Sequence, residues 1–260
     1  MLRSRIIPCL LVHNQGLVKT VKFKDPKYVG DPINAVKIFN EKEVDELIVL
    51  DIDATAEGRE PDYRMIEDLA AECRMPFCYG GGVTTVEQAV KIINSGVEKV
   101  ALSAAFAANP SLVTDLVEAV GSQSVVAVVD VKKVGLFGSY EIFTHNGQKK
   151  VKRDLIEYCR ELERLGVGEI VVNAIDQDGM MKGYDEKLIA KVREATHVPI
   201  TVLGGAGSLD DIRQLIEQYG IIGAAAGSLF VFKGVYRAVL INYPQRADKD
   251  ALFNQVSSFQ

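Results

Sequence analysis

Eight short apolar runs recur along this chain, and their rhythm constrains its fold more than any other feature. They are RIIPCLLV at 5–12, ELIVLDID at 46–53, MPFCYGG at 75–81, KVALS at 99–103, VVAVVDV at 125–131, EIVVNAID at 169–176, PITVLGG at 199–205 and IIGAAAGS at 221–228. Amphipathic segments lie between them, among them DPINAVKIFNEKEV, TTVEQAVKIINSG, NPSLVTDLVEAVG and SLDDIRQLIEQYG. Their apolar residues recur three and four positions apart, which is the helical period. Runs so continuously apolar are strands buried on both faces, as in parallel sheets. Asp31 before Pro32 and Asn109 before Pro110 read as an N-cap followed by the first helical residue. Gly96, Gly121, Gly166 and Gly220 stand where helices should stop. Eight strand–helix units in 260 residues predict an α/β protein, a single (β/α)8 TIM barrel over residues 1–260. An open doubly wound sheet is the alternative, disfavoured because no G-x-G-x-x-G follows the first run.

The chain also repeats itself at about half its length. LDIDAT is echoed by AIDQDG, YGGGV by LGGAG, and SAAFAANP by AGSLFVF. On this reading Asp51 pairs with Asp176, Phe106 with Phe230, and Leu11 in RIIPCLLV with Asp130 in VVAVVDV. The barrel is therefore expected to consist of two repeated half-barrels, each with an equivalent site.

Composition excludes several functions. A net charge of −5 argues against nucleic-acid binding driven by bulk charge. The opening MLRSRIIPCLLV has a basic start, but its apolar run is short and broken by Pro8, so it reads as neither a signal peptide nor a membrane span. A cytoplasmic protein is expected. Cys9, Cys73, Cys78 and Cys159 form no C-x-x-C pair and read as buried or semi-buried free thiols. His13, His145 and His197 are scattered, so no metal site and no cofactor are expected. His13 and His145 fall in loops within reach of a barrel mouth, where solvated side chains are the simpler reading.

In this fold chemistry sits at the C-terminal ends of the strands. Asp51, Asp130, Asp176 and Asp178 lie there, together with two glycine clusters. Gly81 and Gly82 follow the third run; Gly204 and Gly205 follow the seventh, with Gly179 and Gly227–Ser228 nearby. Glycines there either permit tight turns or let backbone amides approach an anion. A duplicated cluster favours two phosphate cradles and a phosphorylated small molecule. The first cradle is thinner, since Ala104 stands where the second has Ser228. Ser103 is the available hydroxyl, one step of the pleat away. Asp51 reads as a mouth residue or as a loop-capping carboxylate, and Lys19 as a loop lysine.

The motifs Arg5-Ile6-Ile7-Pro8-Cys9-Leu10, Val18-Lys19, Gly30-Asp31-Pro32, Gly80-Gly81-Gly82, Asp176-x-Asp178-Gly179, Gly183-Tyr184-Asp185 and Gly204-Gly205-Ala206-Gly207 span nearly the whole chain. Together they resemble the cyclase subunit family of imidazole glycerol phosphate synthase. That resemblance implies a barrel with two phosphate sites, fed ammonia by a glutaminase subunit docked at the N-terminal face. It also implies a reaction of the ammonia with a bis-phosphorylated ribonucleotide in histidine synthesis. The family's cyclase site has two aspartates, of which Asp130 matches one while Leu11 stands where the other should be. Where the family's first phosphate site has Asn-Thr, this chain has Ser103-Ala104. The resemblance makes Lys19 part of a loop that closes over substrate. It also makes Arg5, Glu46, Lys99 and Glu169, at or just before strand starts, a salt-bridged ammonia gate. Read alone these four are either solvated or mutually neutralised in a ring. The stretches at 16–24 and 27–35 look more like divergent paralogs serving surface-polysaccharide synthesis, where ammonia goes to a third protein, an amidotransferase that makes an acetamidino sugar. The expectation is therefore an ammonia-conducting barrel without cyclase activity. A genuine cyclase, with Asp51 or Asp176 in the missing role, is the alternative, and a pure scaffold is a third possibility.

Overall fold

A computed structural model describes residues 3–135 and 138–257 of the chain. Residues 1, 2, 136, 137 and 258–260, which the expected domain over 1–260 includes, lie outside the described residues. Eight parallel strands close into a barrel: β1 (Arg5–His13), β2 (Leu47–Asp51), β3 (Phe77–Gly80), β4 (Lys99–Leu102), β5 (Val125–Val134), β6 (Glu169–Ala174), β7 (Ile200–Leu203) and β8 (Gly223–Ala226). Each pairs with its successor, and β8 closes on β1 with Arg5 opposite Gly223. The expected TIM barrel is thus observed. Its long helices are α1 (Pro32–Glu41), α2 (Tyr63–Glu72), α3 (Val86–Asn94), α4 (Ser111–Val120), α5 (Leu155–Arg164), α6 (Glu186–Ala195), α7 (Leu209–Tyr219) and α8 (Arg246–Ser257).

Short polar side chains start most of these helices. Asp31 accepts the Asn34 amide at 2.9 Å, with Pro32 in the first turn as expected. Thr85 with Gln88 and Ser208 with Asp211 form reciprocal capping boxes. One expectation is corrected. Pro110 itself is the residue before α4, and the Asn109 side chain accepts the Ser111 hydroxyl at 2.8 Å instead of a helix amide. The apolar faces of the helices pack on outward-facing strand residues such as Ile6, Leu10, Val49, Val100, Val129 and Val172.

Side chains alternate across each strand, so a second, inner core fills the barrel. It contains Ile7, Cys9, Ile48, Cys78, Ala101, Val126, Val128, Val171, Leu203 and Ala225, with Leu11 and Leu50 packed against it. Leu11 shares its parity with Arg5, and Asp130 with Val126, so both point inward.

Each half carries a hairpin after its first strand. Gly16–Val21 and Lys24–Gly30 follow β1; Ser139–Thr144 and Lys149–Val151 follow β5. The first replaces the expected loop with a β-hairpin, and Asp178 anchors it by accepting the Thr20 hydroxyl at 2.6 Å and the Phe23 amide at 3.0 Å.

Register refines the repeat. Leu11 faces Leu50 across β1–β2, and Asp130 faces Asn173 across β5–β6. Leu50 therefore corresponds to Asn173, Asp51 to Ala174 and Asp53 to Asp176. The sequence pairing of Asp51 with Asp176 is out by two residues: AIDQDG begins one residue beyond the strand position that LDIDAT occupies, and Asp176 is its third residue where Asp51 is the second of LDIDAT.

Candidate functional site

Two adjoining cavities open at the C-terminal ends of the strands. The larger, about 270 Å³, is lined by Leu11, Leu50, Asp51, Ser103, Asp130 and Asn173, among others. The smaller, about 40 Å³, is lined by Lys19, Gly179, Gly204, Gly205, Gly227 and Ser228. Leu11, Phe23 and Asn173 border both.

Asp130 projects from β5 into the first cavity and accepts a hydrogen bond from the Asn173 amide at 2.9 Å. Burial pushes its carboxyl up to about 7; the Asp178 charge adds to the rise, while hydrogen bonds from Asn173 and Ser103 oppose it. A carboxyl poised there can exchange a proton at neutral pH. Across the barrel Leu11 and Leu50 present only methyl groups, so no proton passes through them.

Asp51 is buried, and one of its oxygens accepts the Asp53 amide at 2.9 Å and the Ala54 amide at 3.1 Å. It orders the turn into the one-turn helix Ala54–Glu57, which is the loop-capping role, while still lining the cavity. Burial raises its carboxyl above the usual range. Asp176 follows β6 at the expected strand end, but its carboxylate accepts the Lys133 amide at 2.7 Å and lines neither cavity. His13 and His145 both line the larger cavity. His13 is not the solvated loop residue expected; it ends β1, with Nδ1 2.7 Å from the Asp53 carboxylate.

The second cradle assembles as the sequence groups it. Gly204 and Gly205 hold positive φ values of 94° and 118°. A Cβ at Gly204 would press on the Ala174 carbonyl at 2.7 Å. Lys19 is corrected: it lies in the hairpin strand Gly16–Val21, is 6% exposed, and donates to the Cys9 carbonyl. Its ammonium sits against Gly227, where a Cβ would approach within 2.5 Å. Burial lowers its pKa, against the pull of Cys9 and Asp178.

The first cradle differs. Gly81 and Gly82 do not line the larger cavity. The Gly82 amide donates to the Thr55 hydroxyl at 3.1 Å, and Gly81 packs on Asp51, leaving no room for a Cβ. Their φ values of 126° and 73° serve this close approach. Ser103 faces the barrel interior beside Asp130, and Ala104 takes the place equivalent to Ser228.

At the opposite end of the barrel the four charges of the expected gate form a closed ring. Arg5 pairs with Glu46, and with Glu169 at 2.8 Å; Lys99 pairs with Glu46 at 2.7 Å and with Glu169 at 2.8 Å. They are not solvated: Glu46 and Glu169 are buried. They come from β1, the residue before β2, β4 and β6, so base and acid alternate around the ring although the strands that carry them are unevenly spaced. Burial would raise the Glu169 carboxyl, but Arg5 and Lys99 hold it well below the usual range.

Asn173, Leu50 and the His13–Asp53 pair do not stand out in the sequence, nor does Thr201, whose hydroxyl donates to the Glu169 carboxylate of the ring at 2.5 Å. Asn173 leaves a signal, as the one polar residue inside EIVVNA at the inward parity of Glu169. Among the described residues no group of three or more His, Cys, Asp or Glu side chains could hold a metal ion, and no helix is long and apolar enough to cross a membrane.

A family model described as "Histidine biosynthesis protein" matches residues 5–237. A Vibrio vulnificus protein provisionally named imidazole glycerol phosphate synthase subunit hisF3 is 60% identical over 250 residues, 96% of this chain and 96% of its own. A Pseudomonas aeruginosa protein provisionally named subunit hisF2 of the same synthase is 53% identical over 244 residues, covering 94% of this chain and 97% of its own. The imidazole glycerol phosphate synthase subunit HisF of Exiguobacterium sibiricum is 40% identical over 230 residues, 88% and 91% of the two chains.

Proposed function

The chain belongs to the histidine biosynthesis protein family, and from that membership we propose that it is the ammonia-receiving barrel of a glutamine-dependent amidotransferase assembly, without cyclase activity of its own. The observation that carries this reading is the facing pair Leu11–Leu50, set where the other half has Asp130–Asn173. A cyclase of the kind the family resemblance implies needs proton transfer on both sides of its substrate, worth roughly 10²–10⁴ in rate for each positioned group. Leucine supplies none. The Asp130 side, the Lys19–Ser228 cradle and the Arg5–Glu46–Lys99–Glu169 ring are intact. They suit a barrel that still takes in ammonia at its N-terminal face while its upper first half has left the ancestral chemistry.

The partner on that face is a glutaminase subunit, whose product crosses the ring and the inner core. The acceptor is a third protein, an amidotransferase acting on a bacterial surface sugar. Two points support a paralog: the stretches at 16–24 and 27–35, and the relatives' names, provisional at 53% and 60% identity but unqualified at 40%. The second reading is a genuine cyclase of histidine synthesis. The Asp130 carboxyl near 7 and the His13–Asp53 pair at the same cavity favour it.

The partner claim is tested by mixing the chain with the glutaminase subunit from its own organism and following amide exchange. A one-to-one complex with protection at the starts of β1, β2, β4 and β6 is expected, and Glu46→Lys should weaken it or alter glutamine use. Absence of a complex, or protection confined to the opposite strand ends, would overturn the reading.

A further inference from the structure

The two cavities at the strand ends differ in charge. The smaller contains one cation, Lys19, whose ammonium has three N–H donors and one acceptor among the described residues, the Cys9 carbonyl. A buried cation with spare donors beside Ser228, Gly204 and Gly205 calls for an anion. Asp178 also borders this space, but one of its oxygens is taken by Thr20 and Phe23. The larger cavity is the reverse: Asp51, Asp53 and Asp130 line it, and no lysine or arginine does. Arg59 lies in a separate cavity behind Asp51 and is paired with Glu57 at 2.5 Å. The Gly82 amide is engaged by Thr55, and Ala104 lacks the hydroxyl of Ser228. A phosphate placed among three carboxylates in a half-buried site is repelled, and the lining sets against this only hydroxyls such as Ser103 and Thr84, the amides of Asn146 and Gln148 and the imidazoles of His13 and His145, with no lysine or arginine. Leu11, Phe23 and Asn173 border both spaces, so one ligand can span them.

We propose that the chain binds a ligand with a single phosphate, seated at Lys19 and Ser228, whose other end is uncharged or cationic and lies among Leu11, Leu50 and Asp130. This rests on the reading that the first half has left cyclase chemistry, whose substrate carries two phosphates.

Calorimetric titration of the full chain with inorganic phosphate, ribose 5-phosphate and ribulose 1,5-bisphosphate tests it. Inorganic phosphate should bind at one equivalent. The bisphosphate should bind less than about tenfold more tightly than the monophosphate, and Lys19→Met should weaken monophosphate binding by about tenfold or more. Should Lys19→Met fail to fold, Ser228→Ala should still weaken the monophosphate severalfold. Two equivalents of inorganic phosphate, no phosphate binding at all, or a bisphosphate preference beyond about tenfold would overturn the inference. Tight bisphosphate binding without turnover would overturn it alone and leave the proposed function standing.

Discussion

Leu11 and Leu50 face one another on the first half of the barrel as Asp130 and Asn173 do on the second. The difference is chemical and local: one pair carries a proton and a hydrogen bond, and the other carries neither. Leu11→Asp should therefore destabilise the fold, because the new carboxylate meets the Leu50 methyls. Adding Leu50→Asn should recover part of that loss. A double-mutant cycle in urea is expected to give a favourable coupling of about 1 kcal/mol. Asp130 makes a pH prediction. Its folded pKa is raised, so the native state binds the proton more tightly than the unfolded chain, and ionisation costs stability as pH rises. Asp130→Asn should gain stability relative to the parent from about pH 4, its ordinary range, up to about 7, and level off above that. Leu11 was legible because the half-chain repeat aligns it with Asp130. Leu50 was not, since its role depends on a cross-strand register that sequence similarity misplaced by two residues.

The strands and helices were largely readable, because continuous apolar runs and capping residues announce them. The hairpin after β1 was not. Its turn, Lys22–Phe23, takes positive φ values of 53° and 61° without glycine or asparagine, so the usual hairpin signal is missing. Tertiary contacts hold it instead. With Asp178 anchoring Thr20 and Phe23, Asp178→Ala should loosen the hairpin and leave the barrel strands intact. Amide exchange across 16–30 should accelerate about tenfold or more, matching a loss of roughly 1–3 kcal/mol, with little change in β5 and β6. The same hairpin carries Lys19, and this is why a residue that looks like a loop lysine is buried and lines the smaller cavity. The two glycine clusters look alike in sequence yet serve different ends. Gly204 and Gly205 border a cavity, whereas Gly81 and Gly82 make room for the Asp51 turn.

Across the whole molecule the barrel separates two polar ends by an inner apolar core. The ring of Arg5, Glu46, Lys99 and Glu169 closes one end, and parity along each strand links it to the mouth residues at the other. Two acids and two bases cancel, which is the condition for burying them. Glu169→Gln should break that balance and cost about 3 kcal/mol. The Glu169 carboxyl is held below its ordinary range, so its stabilisation is present above the unfolded value and fades as pH falls through the folded one. The gap between parent and variant should therefore shrink on acidification, a trend thermal melts can follow. The central claim, that the chain keeps this ammonia-facing end but has no working cyclase at the other, has one direct measurement. The purified chain is given the bis-phosphorylated ribonucleotide of histidine synthesis and saturating ammonium at alkaline pH, bypassing glutaminase and ring alike. The account predicts no turnover above background; a rate of about 1 s⁻¹ or more would contradict it.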